Sequence, residues 1–113
     1  MRVVTRHQPT DPSRFQSDAH EALLVLARQP GFVSGELGRS PDDPSSLLLT
    51  TRWANVGSMR RGMGAFDAKV ALAPLMVSAA DEPSAFEVLL DVRDGVVTEA
   101  LSATAPGDAG RPF

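Results

Sequence analysis

Apolar residues recur along this chain with two periods, and each change of period predicts a new element. From Val3 to His7 the side chains alternate, with Val3, Thr5 and His7 on one face and Val4 and Arg6 on the other, so a short strand is expected that ends at Gln8-Pro9-Thr10. The period then becomes helical. Phe15, Ala19, Ala22, Leu23 and Leu26 fall on one face of a helix from about Pro12 to Arg28, capped by Asp11 or Thr10. Pro12 sits in its first turn, where the missing N–H costs nothing, and Pro30 and Gly31 stop it. Phe32 to Arg39 reads as a strand, Ser40 to Ser46 as a loop by composition, and Leu47 to Trp53 as a second strand. On that second strand Leu47, Leu49 and Trp53 share one face, and Leu48 takes the other.

Asn55 is a candidate N-cap for a second helix whose apolar stripe is Val56, Met59, Met63 and Phe66. Gly57, Gly62 and Gly64 each weaken it by about 1 kcal/mol relative to alanine, so tertiary packing must hold it. Asp67 to Ala80 is helical but irregular, and Pro74 is expected to kink or restart it. Phe86 to Val92 reads as the last clear strand, followed by an Asp94-Gly95 hairpin turn into Val96 to Ala100. One domain is expected over residues 1–101, and the small, polar, Pro- and Gly-rich stretch 102–113 is expected to be disordered. The order strand, helix, strand, strand, helix, strand is the ferredoxin-like βαββαβ pattern, an α+β class with an antiparallel sheet. Helices cover one face of such a sheet. A bare second face carrying Leu and Val is a liability, so a symmetric homodimer with its sheets packed together is expected.

Composition removes several functions. A net charge of -3 with 22% charged residues offers no electrostatic reason to bind nucleic acid or an anionic membrane. The longest apolar run, Val70 to Val77, is broken by Pro74 and is far short of the roughly 20 residues that cross a bilayer. The first residues show no secretory apolar region, so a cytoplasmic protein is expected. With 0 cysteines there are no disulfides, thiolate nucleophiles or thiolate metal sites, and two distant histidines make no metal constellation. Gly31, Gly35 and Gly38 fall within a strand rather than at a strand-to-helix turn, which excludes a dinucleotide fingerprint. Asp42-Asp43 and Asp81-Glu82 read as solvated turns, and no serine occupies a nucleophile elbow.

The segment PGFVSGELGRSPDDPSSLLLTTRWANVGSMRRGMGAFDAK, followed by DEPSAFEVLL, resembles the actinobacterial branch of the antibiotic biosynthesis monooxygenase family over most of residues 1–92. The resemblance implies a dimeric α+β barrel of ferredoxin-like protomers. It also implies, for its quinone-forming members, cofactor-independent oxidation of a small aromatic or polyketide-like substrate by molecular oxygen. A phenol is deprotonated, its anion reacts with oxygen, and the protein supplies an apolar cavity with polar groups that stabilise developing negative charge. No metal and no cofactor are implied. Haem-degrading relatives carry a tryptophan and a ligating histidine in and after the second helix, where this chain has Gly62 and then Ala71 or Leu72, so haem cleavage is disfavoured.

The candidates for that chemistry are His7 as base, with Asn55 and Arg52 as polar groups, and Trp53, Met59, Met63 and Phe66 as the apolar lining. Each has a plainer reading. His7 would be a solvated histidine at a frayed strand end, Trp53 a core or interface anchor, and Asn55 a helix cap. Arg52 would pair across the sheet with Glu36 or Glu87, Arg60 and Arg61 would form a solvated face, and Met59, Met63 and Met76 would fill core space. His20, one step off the apolar stripe, reads as a boundary histidine. Two functions remain open: an oxygenase of an aromatic substrate, and a non-catalytic dimeric ligand-binding or accessory domain with the same scaffold.

Overall fold

A computed structural model describes residues 1–99. Its elements are β1 (Arg2–His7), α1 (Pro12–Ala27), β2 (Phe32–Arg39), β3 (Leu47–Trp53), α2 (Val56–Gly64), α3 (Phe66–Met76), β4 (Ala85–Phe86), β5 (Leu90–Arg93) and β6 (Val96–Glu99). The main sheet runs β2-β3-β1-β4 with every pair antiparallel, which is the ferredoxin-like α+β arrangement. The stretch 102–113, expected to be disordered, and the end of the expected last strand at Ala100 lie outside the described residues.

The strand alternation decides which side chains reach the helices. Leu47, Leu49, Thr51 and Trp53 of β3 are buried, and in register beside them lie His7, Thr5 and Val3 of β1 and Arg39, Leu37, Gly35 and Phe32 of β2. Against this face pack Phe15, Ala19, Ala22 and Leu26 of α1, Met59 of α2, and Ala68, Leu72 and Leu75 of α3. The alanines let α1 and the sheet approach closely, while the leucines fill the remaining space. The opposite face carries Arg2, Val4, Arg6, Leu48, Thr50 and Arg52, and no helix covers it.

Local side-chain chemistry starts the first two helices. Asp11 caps α1 by accepting the Arg14 amide at 3.1 Å, with Pro12 as the first helical residue. Asn55 and Ser58 form a reciprocal capping box on α2, with the Ser58 amide donating to Asn55 Oδ1 at 2.8 Å. The Ser40–Ser46 loop is organised by its own polar groups. Asp43 accepts the Ser45 hydroxyl at 2.6 Å, and that bond, with the Ser45 amide and Gln8, holds its carboxyl below the usual range.

Three expectations need correction. The apolar stripe of the second helix does not continue to Phe66, because Ala65 adopts an extended conformation (φ -62°, ψ 145°) that ends α2 and resets the helical phase. Pro74 lies inside α3 rather than restarting it, and the helix closes two residues later at Met76. The expected strand Phe86 to Val92 is two pieces. Ala85–Phe86 pairs with β1, whereas Leu90–Arg93 leaves the sheet and, among the described residues, pairs with Val96–Glu99 through an Asp94-Gly95 turn with positive φ at both residues (50° and 77°).

Glycine at position 62 is required by packing even though it weakens the helix. A Cβ there would overlap the Trp53 ring. At Gly64 a Cβ would meet open space. Chemical denaturation should therefore separate two identical substitutions: Gly62→Ala is expected to destabilise the fold by about 1–3 kcal/mol through overpacking, and Gly64→Ala to stabilise it by roughly 0.5–1 kcal/mol through helix propensity.

Candidate functional site

At one end of the covered sheet face stands Trp53, 1% exposed. Burial of an indole requires a partner for its N–H, and Thr51, two residues back on the same face, accepts it at 3.0 Å. Phe32 meets the ring edge-on at 5.3 Å between centroids, and Gly62 of α2 closes against it. Met59 is buried beside this cluster and Met63 half-buried. Asn55, two residues beyond Trp53, is exposed. Its carbonyl oxygen is used by the Ser58 amide, and its amide nitrogen has no partner among the described residues.

His7 lies at the other end of the same face. It lies six positions along the chain from Met1, whose carbonyl accepts the Trp53 amide, so the two residues stand about 20 Å apart at roughly 3.3 Å per strand residue. The imidazole is 1% exposed, with the Phe15 ring tilted 49° against it at 4.6 Å between centroids. Both ring nitrogens are engaged: Nδ1 with the Ser78 hydroxyl at 3.1 Å and Nε2 with the Thr5 hydroxyl at 2.8 Å. Ser78 in turn donates to the Leu75 carbonyl at 3.2 Å, so it accepts from Nδ1–H, and Nε2 accepts from Thr5. Burial pushes the His7 pKa below its ordinary value, against a smaller opposing pull from the Leu75 carbonyl.

The expected catalytic and lining residues therefore do not converge. His7 is neither a solvated strand end nor a base facing a cavity with Trp53. It is a neutral buried ring joining β1 to the segment after α3, where His7 also bridges Ala79 through the backbone. Arg52 points to the uncovered face and pairs at 3.6 Å with Asp91 of the β5–β6 hairpin. Phe66, expected in the lining, is 83% exposed because it opens a new helix. Of the expected lining residues, Trp53 and Met59 are buried in the core cluster and Met63 packs against it, while Asn55 is exposed at the start of α2.

The partners that sequence reasoning missed are short and polar: Thr5 and Ser78 around His7, and Thr51 and Ser58 around Trp53 and Asn55. Thr51 was legible in part, since it alternates with Leu49 and Trp53. Ser78 was not, because 71 residues separate it from His7.

Solved structures resemble this fold. SnoaB, a cofactor-independent oxygenase from Streptomyces nogalater, is 25% identical over 78% of this chain and 94% of its own, with a TM-score of 0.65. A protein from Nitrosomonas europaea provisionally assigned as an antibiotic biosynthesis monooxygenase is 16% identical over 90% of this chain and 89% of its own, at a TM-score of 0.62. Rv0793 from Mycobacterium tuberculosis matches 92% of this chain and 97% of its own at 18% identity and a TM-score of 0.60. No protein-family profile and no curated protein matches the chain. The ferredoxin-like fold is thus shared with monooxygenase-type proteins, SnoaB being the one at the higher identity of the three. Among the described residues, no helix is long and apolar enough to cross a membrane.

The His7 pocket has a measurable consequence for stability. Because the folded pKa is depressed, the unfolded chain binds a proton that the folded chain refuses once the pH falls below about 6.5. Stability is expected to be unaffected by this group above that pH. Below it, stability should fall by up to about 1.4 kcal/mol per pH unit until the folded-state pKa is reached. Urea unfolding at a series of pH values checks this, and His7→Gln should flatten that part of the profile.

Proposed function

We propose that this protein is a cofactor-independent oxygenase, of the kind found in the actinobacterial branch of the antibiotic biosynthesis monooxygenases, acting on a small aromatic or polyketide-like phenol. The observation that carries the reading is the likeness to SnoaB over 78% of the chain. The substrate end is that of Trp53, Met59 and Met63, and Asn55 is its polar group. In this reading the Asn55 amide nitrogen donates to a substrate oxyanion; its being unpartnered among the described residues, while its carbonyl oxygen caps α2, supports the role. His7 and Arg52 are assigned no part in the reaction, since the first has both nitrogens engaged and the second lies on the opposite sheet face.

The second reading, a non-catalytic ligand-binding domain, is favoured by one observation: Trp53 is 1% exposed, with its indole N–H already satisfied. Oxygen uptake with anthrone and hydroquinone substrates separates the two. The oxygenase reading expects substrate-dependent uptake, and it expects Asn55→Ser, which retains a capping oxygen but removes the amide donor, to lower kcat by about 100-fold or more while the melting temperature stays put. Uptake no faster than the uncatalysed background supports the binding domain.

The protein is further proposed to act as a homodimer. The β5–β6 hairpin leaves Leu90, Val92, Val96 and Val97 each more than half exposed, and an isolated two-stranded hairpin is marginally stable in water. A second copy seated on the hairpin and the uncovered sheet face, where Leu48 and Phe86 are also exposed, would bury these groups. Light scattering is expected to return twice the chain mass; a single species at the monomer mass removes this part of the proposal.

A further inference from the structure

One cleft lies away from Trp53, at the end of the sheet where Leu47 pairs in register with His7. It has a volume of about 540 Å³ and is bounded by α1 and the far end of β2, with Gln16, His20, Leu23, Leu37, Arg39 and Leu47 along it. Gln16, His20 and Leu23 are spaced i, i+4, i+7, so they form one strip beside the buried stripe of α1. Leu37 and Arg39 project from the edge strand on the helix-covered side, because their register partners are the buried Leu49 and Leu47. An apolar floor of Leu23, Leu37 and Leu47 is thus edged by three exposed polar side chains.

Those three side chains share one chemistry. Gln16, His20 and Arg39 can each donate N–H bonds, and none has a hydrogen bond or ion pair with another described residue. No Asp or Glu lines the cleft. A guanidinium matches the two oxygens of a carboxylate in its fork geometry. The volume falls within the roughly 300–1,000 Å³ of small-molecule sites, and an apolar lining with a few placed donors is their usual composition. An inward-facing arginine also discourages pairing of an edge strand. That role requires no ligand, so a binding measurement tells the two apart.

We propose that the α1–β2 cleft binds a small monocarboxylate with an apolar body, its carboxylate held by Arg39 with His20 and Gln16 and its body lying on Leu23, Leu37 and Leu47. The site is separate from the Trp53 end and stands whether or not the oxygenase reading does. The test is amide NMR of the full chain titrated with octanoate and, in parallel, with naphthoate, the two arms distinguishing an alkyl from an aryl body. The expected result is shifts confined to Gln16–Leu23 and Leu37–Leu47. Arg39→Gln should weaken the acid about tenfold to a hundredfold, as expected for loss of a charge-assisted bond, and leave the weaker binding of octanol unchanged. The inference is overturned by absence of shifts with either acid, by shifts centred on Trp53 to Met63, or by acid affinity unchanged in both Arg39→Gln and His20→Gln.

Discussion

Burial of a single tryptophan governs one half of this molecule. Trp53 ends β3 on the face turned toward the helices, and its indole is enclosed only because three neighbours have the right chemistry. Thr51 accepts the N–H, Phe32 offers a ring edge, and Gly62 offers no side chain. The close approach at Gly62 sets the distance of α2 from the sheet. A second close approach, at Gly31, fixes the helix start: its φ is 88°, and a Cβ there would collide with Ser58, the residue that completes the Asn55 cap. The turn before β2, the end of β3 and the first turn of α2 therefore interlock around one ring. The same enclosure makes Trp53 an anchor in this structure.

The other half of the sheet is held by a polar contact in a dry place. His7 is hydrogen-bonded to Thr5 and Ser78, and the Leu75 carbonyl accepts from the Ser78 hydroxyl, so the imidazole sits neutral against Phe15. This links the end of β1 to the chain leaving α3, and the backbone continues the link, with the Ala80 amide donating to the Arg6 carbonyl at 2.8 Å. Arg6 then makes a two-pronged bond with Glu82, at 2.8 and 2.9 Å, on the surface. From there the chain turns back beside β1 as β4.

Between the covered and uncovered faces the protein divides its chemistry unevenly. The buried polar side chains between sheet and helices are His7, Thr51 and Ser58, and each is hydrogen-bonded. The uncovered face mixes arginine and aliphatic side chains with Glu36 and Thr50, and Arg52 is tied there to Asp91 of the hairpin. The ferredoxin-like scaffold, shared with monooxygenase-type proteins, accommodates this asymmetry because its helices all lie on one side of the sheet. Function on such a scaffold depends on which side chains border its clefts, not on the fold itself.

Period and punctuation determined the first part of the fold from sequence alone. The bounds of β2 and β3, the Asp11 and Asn55 caps, the Asp94-Gly95 turn and the alternation that buries Leu47, Leu49 and Trp53 are local properties, set by steric preference and backbone hydrogen bonding within a few residues. Tertiary structure alone decided the rest. Phe66 fell outside the lining because one extended residue, Ala65, resets the helical phase, and a stripe counted along the sequence carries no sign of that. His7 became a buried strut because Ser78 and Phe15 arrive from distant elements and dehydrate it. Trp53 and His7 share a face, as alternation required, yet stand at its opposite ends because an antiparallel register pairs the end of one strand with the start of the other. Residue type and spacing indicate which groups are capable of chemistry, and only the packing distance between elements decides which of them meet.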